Sequence, residues 1–492
     1  MKTYQLYIDG QFVDPVEGSW FESIDPYRGE PWARIPRAGR ADVDRAVAAA
    51  KRAMWEGPWA TMTATARGKV LRRIGDLVER EAKALAEVEV RDNGKLFAEM
   101  YGQTRYQPEW WWYYAGLADK VEGAQVPIDK PETFAFTRHE PVGVVGALTA
   151  WNSPLLFVAW KCAPALAAGC AVVVKPSEFA SASTLEFARL TKEAGLPDGM
   201  FNVITGFGGE AGSAIVEHPD VAKITFTGSD VTGAKVYEAA ARQIKRVSLE
   251  LGGKSPNIVF DDCFVDDTVK GVISGIFAAT GQTCIAGSRL LLQRSIHDQF
   301  VDKLVAFAKT ARMGDPASLE TQVGPVTTIP QYEKVLSYID VAKGEGAETA
   351  LGGAKATRPE CGEGWFVEPT IFTGVDNQMR IAQEEVFGPV LSVIPFDDEE
   401  EAVAIANDIN FGLAAGVWTQ NMGRAIKISE RLRAGTVWVN TYRAVSFMSP
   451  FGGYKRSGLG RENGQEMIKE YLQQKSVWIA TETEVPNPFV LR

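Results

Sequence analysis

The chain has 492 residues, with 62 acidic against 52 basic side chains and a net charge of −10. At roughly 150 residues per domain this length implies two to four domains, and it buries enough surface to need no disulfide staples. The acidic balance argues against a nucleic-acid or anionic-membrane partner, because both demand a basic face, and 46% hydrophobic with 23% charged residues excludes intrinsic disorder and fibrous repeats.

Residues 1–40 read as short strands and turns, broken at Asp9-Gly10, Asp25-Pro26 and Arg28-Gly29. A helix is expected from Asp42, with Val43, Ala46, Val47, Ala50 and Met54 on one face, and a second from about Thr63 to Asp92, ended by Asn93-Gly94. A third holds the aromatic run Trp110 to Tyr114. The texture then changes. Strands are predicted at Thr133–His139, Gly143–Leu148, Ala171–Val174, Phe201–Thr205 and Val221–Phe226, with helices at Pro154–Ala168, Ala182–Ala194 and Gly209–Glu217 between the later ones. Strands alternating with helices indicate a parallel, doubly wound sheet. After a glycine-rich break at Leu249–Pro256, a second such series runs to about residue 440, with helices near Asp267–Thr280 and Ser295–Ala311 and strands at Leu290–Gln293, Val390–Phe396 and Thr436–Asn440. Ser476–Ala480 reads as a last strand.

Five cysteines, none two residues from another, indicate a reducing compartment. The N-terminus lacks an apolar core of signal-peptide length, and the most apolar stretch, Val158 to Val174, is interrupted by Lys161. A cytoplasmic protein is expected. Three histidines, none near another candidate partner, support neither a Ser-His-acid hydrolase nor a His/Cys metal site, so no metal is expected.

Two glycine turns follow predicted strands. Gly206-Phe207-Gly208-Gly209-Glu210-Ala211 fits a dinucleotide fingerprint, but no strand-end acid follows about twenty residues on. Thr227-Gly228-Ser229-Asp230 opens a helix and offers backbone N–H groups to an anion. Cys284 sits in the small-residue segment Ala279 to Gly287, where a thiol can approach a ligand or simply pack. Glu250, flanked by leucines and followed by two glycines, is either a desolvated general base or a strand-end acid facing water.

Taken together, seven segments in order resemble the NAD(P)-dependent aldehyde dehydrogenase superfamily across nearly the whole chain. They are Thr149-Ala150-Trp151-Asn152-Ser153-Pro154, Lys175-Pro176-Ser177-Glu178, Phe226-Thr227-Gly228-Ser229, Leu249-Glu250-Leu251-Gly252-Gly253, Gly281-Gln282-Thr283-Cys284, Glu384-Glu385-Val386-Phe387-Gly388-Pro389 and Phe451-Gly452-Gly453-Tyr454-Lys455-Arg456-Ser457-Gly458. The resemblance implies oxidation of a small-molecule aldehyde to its acid. Cys284 would be the nucleophile, passing through a thiohemiacetal and a thioester. Asn152 and the Cys284 N–H would form the oxyanion hole. Glu250 would activate water, and Lys161 and Glu462 would relay the proton.

It further implies that Trp151, Asn152, Lys175, Glu178, Gly208, Gly228, Ser229, Thr232, Leu251, Glu385 and Phe387 surround the cofactor. NAD is expected, with NADP as the alternative, since Glu178 at the ribose repels a 2′-phosphate. The substrate pocket would hold Trp110, Ser153, Trp160, Thr283, Ile285, Arg443, Val445 and Phe451, with Trp111, Trp112, Ser446 and Met448 as further candidates. Ser153 stands where the family often has an aromatic, which widens the pocket or makes it more polar. Arg443 is a candidate partner for a substrate carboxylate, against a plain solvent-facing arginine.

The implied fold is α/β and aldehyde dehydrogenase-like. A Rossmann-type cofactor domain takes 1–120 and 142–252, a catalytic α/β domain takes 253–450, and a small β oligomerisation arm takes 121–141 and 471–492. The arm implies a homodimer or homotetramer. Two alternatives stand beside this reading. A CoA-acylating semialdehyde dehydrogenase is disfavoured by Glu250. A non-catalytic protein on the same scaffold is disfavoured by retention of Cys284 and Glu250 together.

Overall fold

Five strands form the centre of the first sheet. Strands buried on both faces need no polar alternation, and Val144–Leu148 and Val172–Lys175 are buried throughout. With Phe201–Val203, Val221–Thr227 and Arg246–Glu250 they lie parallel. The sheet order places the first strand of the series in the middle, so the winding reverses between Val144–Leu148 and Val221–Thr227. Ligands of such sheets bind outside the strand C-termini at this reversal. The computed structural model describes residues 1–482 and 487–489.

The second sheet has seven strands, centred on Val390–Phe396, Arg289–Gln293 and Pro256–Val259, and is parallel except for its edge strand Glu348–Leu351. One hydrophobic cluster reaches from the first sheet into the second, and another fills the far side of the second.

Between the sheets runs a segment that ties them together. Gly458–Leu459 pairs antiparallel with Leu249 and Glu250, adding an outer strand to the first sheet. Phe451 and Glu462 bridge across the same excursion, with N···O distances of 2.7 and 2.6 Å. A third, three-stranded sheet pairs Leu472–Ala480 with Thr133–Pro141, flanked by Gln125–Val126. The last expected strand is therefore four residues longer at its start than Ser476–Ala480. Of the segment 471–492 expected in the arm, 483–486 and 490–492 lie outside the described residues.

Helix Pro154–Ala168 begins with proline at its first turn, where the missing N–H costs nothing, and ends at Gly169 with φ 100°. It is apolar nearly all round and buried, so Lys161 on it is carried away from water. Two expectations need correction. The helix expected over Asp267–Thr280 stops at Ile276, because Ala279 and Thr280 turn left-handed at φ 53° and 55°. The helix expected from Gly209 opens as a wide π turn, Gly208–Gly212, before Ser213–Glu217. A short helix, Phe97–Tyr106, is an addition to the expected elements.

Candidate active site

The nucleophile candidate is presented by a strained loop. Ala279, Thr280 and Gly281 all have positive φ, and a Cβ on Gly281 would stand 2.0 Å from the Gly388 carbonyl oxygen, so only glycine fits there. The loop is pinned on both sides. Gln282 Nε2 donates to the Pro325 carbonyl at 3.2 Å, and Gln282 Oε1 accepts from the Thr327 N–H at 2.9 Å. Cys284 is half-buried, and the other four cysteines are buried and unpaired.

Asn152 lies beyond the C-terminus of Val144–Leu148 and before helix Pro154–Ala168. Its Nδ2 donates to the Gln282 carbonyl at 3.2 Å, which holds the amide beside the cysteine loop. Glu250 ends its strand buried, with neither carboxylate oxygen hydrogen-bonded. Burial, then the nearby Glu462 charge, pushes its carboxyl well above the ordinary range, while Lys161 opposes the shift. Burial, followed by the Glu250 and Glu385 carboxylates, also pushes the Cys284 thiol up. The reading of Glu250 as a water-facing strand end is thereby excluded.

Lys161 Nζ donates to Glu462 Oε1 at 2.6 Å and to Thr225 Oγ1 at 3.1 Å, and Thr225 Oγ1 donates to Glu462 Oε1 at 3.2 Å. All three are buried. A buried charge pair persists only when paired and hydrogen-bonded in this manner.

Two cavities meet at the thiol, and Asn152, Phe157 and Cys284 line both. The first also contains Trp151, Gly228, Ser229, Glu250, Leu251, Glu385 and Phe387. It adjoins a larger cleft of about 630 Å³ at the winding reversal, which takes in Lys175, Glu178, Gly208 and Thr232. Every residue expected around the cofactor falls in one or other of these.

The detail suits a dinucleotide. Ser229 caps helix Asp230–Ala241, accepting from the Thr232 N–H at 3.2 Å, so a helix N-terminus faces the cleft. Thr149 and Thr227 hold buried hydroxyls with no partner, open to a ligand's polar groups. Lys175 Nζ donates to Glu178 Oε2 at 3.0 Å. Burial works against the Glu178 charge, but Lys175 and nearby backbone N–H groups outweigh it and hold the carboxyl below its ordinary range. Glu385 accepts from the Gly253 N–H at 3.0 Å, and a Cβ on Gly252 would stand 2.3 Å from its other oxygen.

The second cavity, about 230 Å³, is lined by all eight residues expected at the substrate: Trp110, Ser153, Trp160, Thr283, Ile285, Arg443, Val445 and Phe451. Trp110 stacks on Trp160, and Phe157 and Phe451 meet Trp160 edge-on. Trp111, Trp112, Ser446 and Met448 are not in it. Trp111 stacks on Phe187 in the core, and Trp112 donates to Asp76 on the outer side, because successive residues of a helix point about 100° apart.

The Aldehyde dehydrogenase family profile matches residues 12–477. The chain belongs to the aldehyde dehydrogenase family. A dehydrogenase of Acinetobacter baylyi named for (Z)-2-((N-methylformamido)methylene)-5-hydroxybutyrolactone is 46% identical over the full length of both chains. The putative aldehyde dehydrogenase DhaS of Bacillus subtilis is 44% identical over 98% of this chain and 96% of its own. Betaine aldehyde dehydrogenase of Staphylococcus aureus with NAD+ superposes with a TM-score of 0.97 at 40% identity, covering 99% of this chain and 96% of that one. An NAD+ complex of a Bacillus cereus aldehyde dehydrogenase gives 0.95 at 43%, over 98% and 97%. The dehydrogenase therefore oxidises an aldehyde to its acid with NAD.

Sequence reasoning missed several lining residues of this aldehyde dehydrogenase. Gln331 Nε2 donates to the Val386 and Phe387 carbonyls at 2.8 and 3.0 Å and fixes the segment carrying Glu385. Lys334 lines the first cavity with it. Lys95, Gln103, Tyr106, Leu156 and Phe157 join the second cavity. Lys95 had a visible signal, a lysine directly after the Asn93-Gly94 helix stop, but that dipeptide reads only as punctuation.

Proposed function

We propose that Cys284 is the nucleophile of this aldehyde dehydrogenase, that Asn152 and the Cys284 N–H stabilise the oxyanion, and that Glu250 activates the water that releases the acid. The observation that carries this reading is the convergence of Cys284 and Asn152 at the junction of two cavities, with Glu250 in one of them and an aromatic wall in the other. The thiol adds to the aldehyde carbon, and developing negative charge on oxygen meets preorganised donors rather than water. NAD, when bound, supplies the acceptor for the hydride of this adduct. The thioester left on Cys284 is then hydrolysed by water that gives its proton to Glu250.

Glu250 suits the role because its desolvated carboxylate is a stronger base than an exposed one. Lys161, Thr225 and Glu462 form a buried hydrogen-bonded cluster whose charges act on that carboxylate, and we assign them to carrying the proton onward. Lys175 and Glu178 would hold the adenosine ribose, Ser229 and Thr232 the pyrophosphate side, and Leu251, Glu385 and Phe387 the nicotinamide side. Glu178 favours NAD over NADP. The Acinetobacter baylyi relative is named for a 5-hydroxybutyrolactone, the ring-closed form of an aldehyde with a carboxyl group, which supports the same chemistry.

In this reading 1–120 and 142–252 bind cofactor, 253–450 carries the nucleophile, and the arm of 121–141 and 471–492 pairs between subunits of a cytoplasmic homodimer or homotetramer. Exposed Phe134, Trp478 and Ile479 on the arm support that pairing. Among the described residues no helix is long and apolar enough to cross a membrane.

The test is NADH formation by the purified protein over a panel of aliphatic, aromatic and acid-bearing aldehydes, with and without CoA. Turnover without CoA is expected. Turnover only with CoA, or none with the thiol intact, would overturn the assignment of Glu250.

A further inference from the structure

The substrate cavity has a charge pattern that aldehyde oxidation by itself does not require. No aspartate or glutamate lines it, while two cations, Lys95 and Arg443, do. Arg443 has no ion-pair partner among the described residues, and its one hydrogen bond runs from Nη1 to the Ser274 carbonyl at 3.2 Å. Its remaining guanidinium donors are therefore free for a ligand. Lys95 is fully buried and donates to the Asn152 carbonyl at 2.8 Å and the Ser153 hydroxyl at 3.4 Å, with no carboxylate in contact. The Gln103 side-chain Oε1 is also buried and unpartnered.

The backbone holds Arg443 in place at a cost. Its φ is 66°, a left-handed conformation unusual for a non-glycine residue. Both neighbours are tied down. The Tyr442 hydroxyl donates to the Ile285 carbonyl at 3.0 Å, and Trp438 Nε1 donates to the Ala444 carbonyl at 2.9 Å. The loop is thus fastened to the segment after the nucleophile on one side and to a strand of the second sheet on the other. A solvent-facing arginine needs no such fixing.

Resting on the assignment of Cys284 as nucleophile, we propose that the substrate is an aldehyde that carries a carboxylate, with Arg443 as the specificity residue that pairs with the carboxylate and Lys95 adding positive potential from beside Ser153. The aromatic wall of Trp110, Trp160 and Phe451 takes the body between the two functional groups. An arginine reads a carboxylate through two parallel N–H donors, which a lysine at the same place cannot reproduce.

The test compares para-formylbenzoate with its methyl ester, and succinate semialdehyde with its methyl ester, as substrates of the purified enzyme with NAD. Each acid is expected to exceed its ester in kcat/KM by roughly 10- to 100-fold, the effect of a hydrogen bond to a charged group. In Arg443→Met the acid-to-ester ratio collapses toward unity, chiefly through KM of the acid, and Arg443→Lys recovers only part of it. Equal kcat/KM for acid and ester in the wild type would overturn the proposal, as would a ratio that survives Arg443→Met. The wild-type comparison stands even where a variant does not fold. Oxidation of the esters at a normal rate without preference sinks this inference alone, whereas no NADH from any of the four aldehydes sinks the nucleophile assignment on which it rests.

Discussion

On the proposed mechanism, replacing Glu250 with Gln isolates the step at which water enters. The side chain is buried and neither carboxylate oxygen has a hydrogen-bond partner, so the amide keeps the volume and breaks no contact. A positioned general base contributes about 10²–10⁴ in rate, equivalent to about 3–5 kcal/mol of barrier. Burial and the Glu462 charge make Glu250 a stronger base than an exposed carboxylate, which favours the upper half of that range, about 10³–10⁴. The assay is stopped-flow NADH formation. Cys284 and Asn152 are untouched, so the first turnover should still give a burst near one NADH per active site, as the acyl-enzyme accumulates. The steady state after it should fall by about 10³-fold or more. Added hydroxylamine, which attacks a thioester without a base, should restore turnover. Loss of the burst together with the steady state would place Glu250 on the thiol instead of on water and refute the argument. A steady-state loss under about tenfold, below the range for a general base, would do the same.

Asn152→Ala removes the side-chain donor at the oxyanion site, and burst and steady state should both fall by about 10²–10³-fold, the value of one such donor; a change confined to KM would count against the role. Lys161→Met strands Glu462 as a buried unpaired carboxylate and should destabilise by about 3–5 kcal/mol. The double variant with Glu462→Gln should melt above the single one in differential scanning fluorimetry, and a double variant no more stable than the single would show the pair is not coupled. Burial lowers the Lys95 amine to about 8, with Glu99, Glu89 and Cys284 opposing the shift and Arg443 reinforcing it. Lys95 is therefore charged below that pH and neutral above it, and the preference for acid over ester substrates should weaken as pH rises through about 8. That weakening should vanish in Lys95→Met. Because the unfolded lysine keeps its proton to about 10.4, this residue also makes the fold more stable with rising pH from about 8 to that value.

Much of this was legible because parallel strands buried on both faces are written as unbroken apolar runs. Val390–Phe396 matches its sequence boundaries for that reason, and helix Pro154–Ala168 matches because proline opens it and Gly169 closes it. The site was legible through motif order, since Cys284, Glu250 and Asn152 each sit at a strand end or tight loop with little freedom in residue type. Lys95, Gln103 and Tyr106 were not, because their helix Phe97–Tyr106 and the turn before it carry no strong apolar period. Trp111 and Trp112 show the converse. A run of aromatics looks like one surface in sequence, but the helix sends one ring to the cavity, one to the core and one outward. The cation pair was half visible, since Arg443 stood out in its loop while Lys95 reaches it only through the fold.

The strand Gly458–Leu459 bears on how this enzyme can be taken apart. It covers the edge of the strand that ends in Glu250, and the Leu251 N–H donates to the Ser457 carbonyl at 3.0 Å. Four residues beyond Gly458 comes Glu462, and seven before it comes Phe451 of the substrate wall. The cover of the Glu250 strand, the buried partner of Lys161 and one wall of the second cavity are thus threaded on a single excursion of chain more than 200 residues downstream of Glu250. A fragment ending at residue 252 would keep the cofactor cleft but leave a bare sheet edge, the usual template for self-association. Its Lys161 would be a buried ammonium without a counter-charge. The break in composition near residue 253 is therefore a boundary between sheets and not a place where the protein can be cut into working parts.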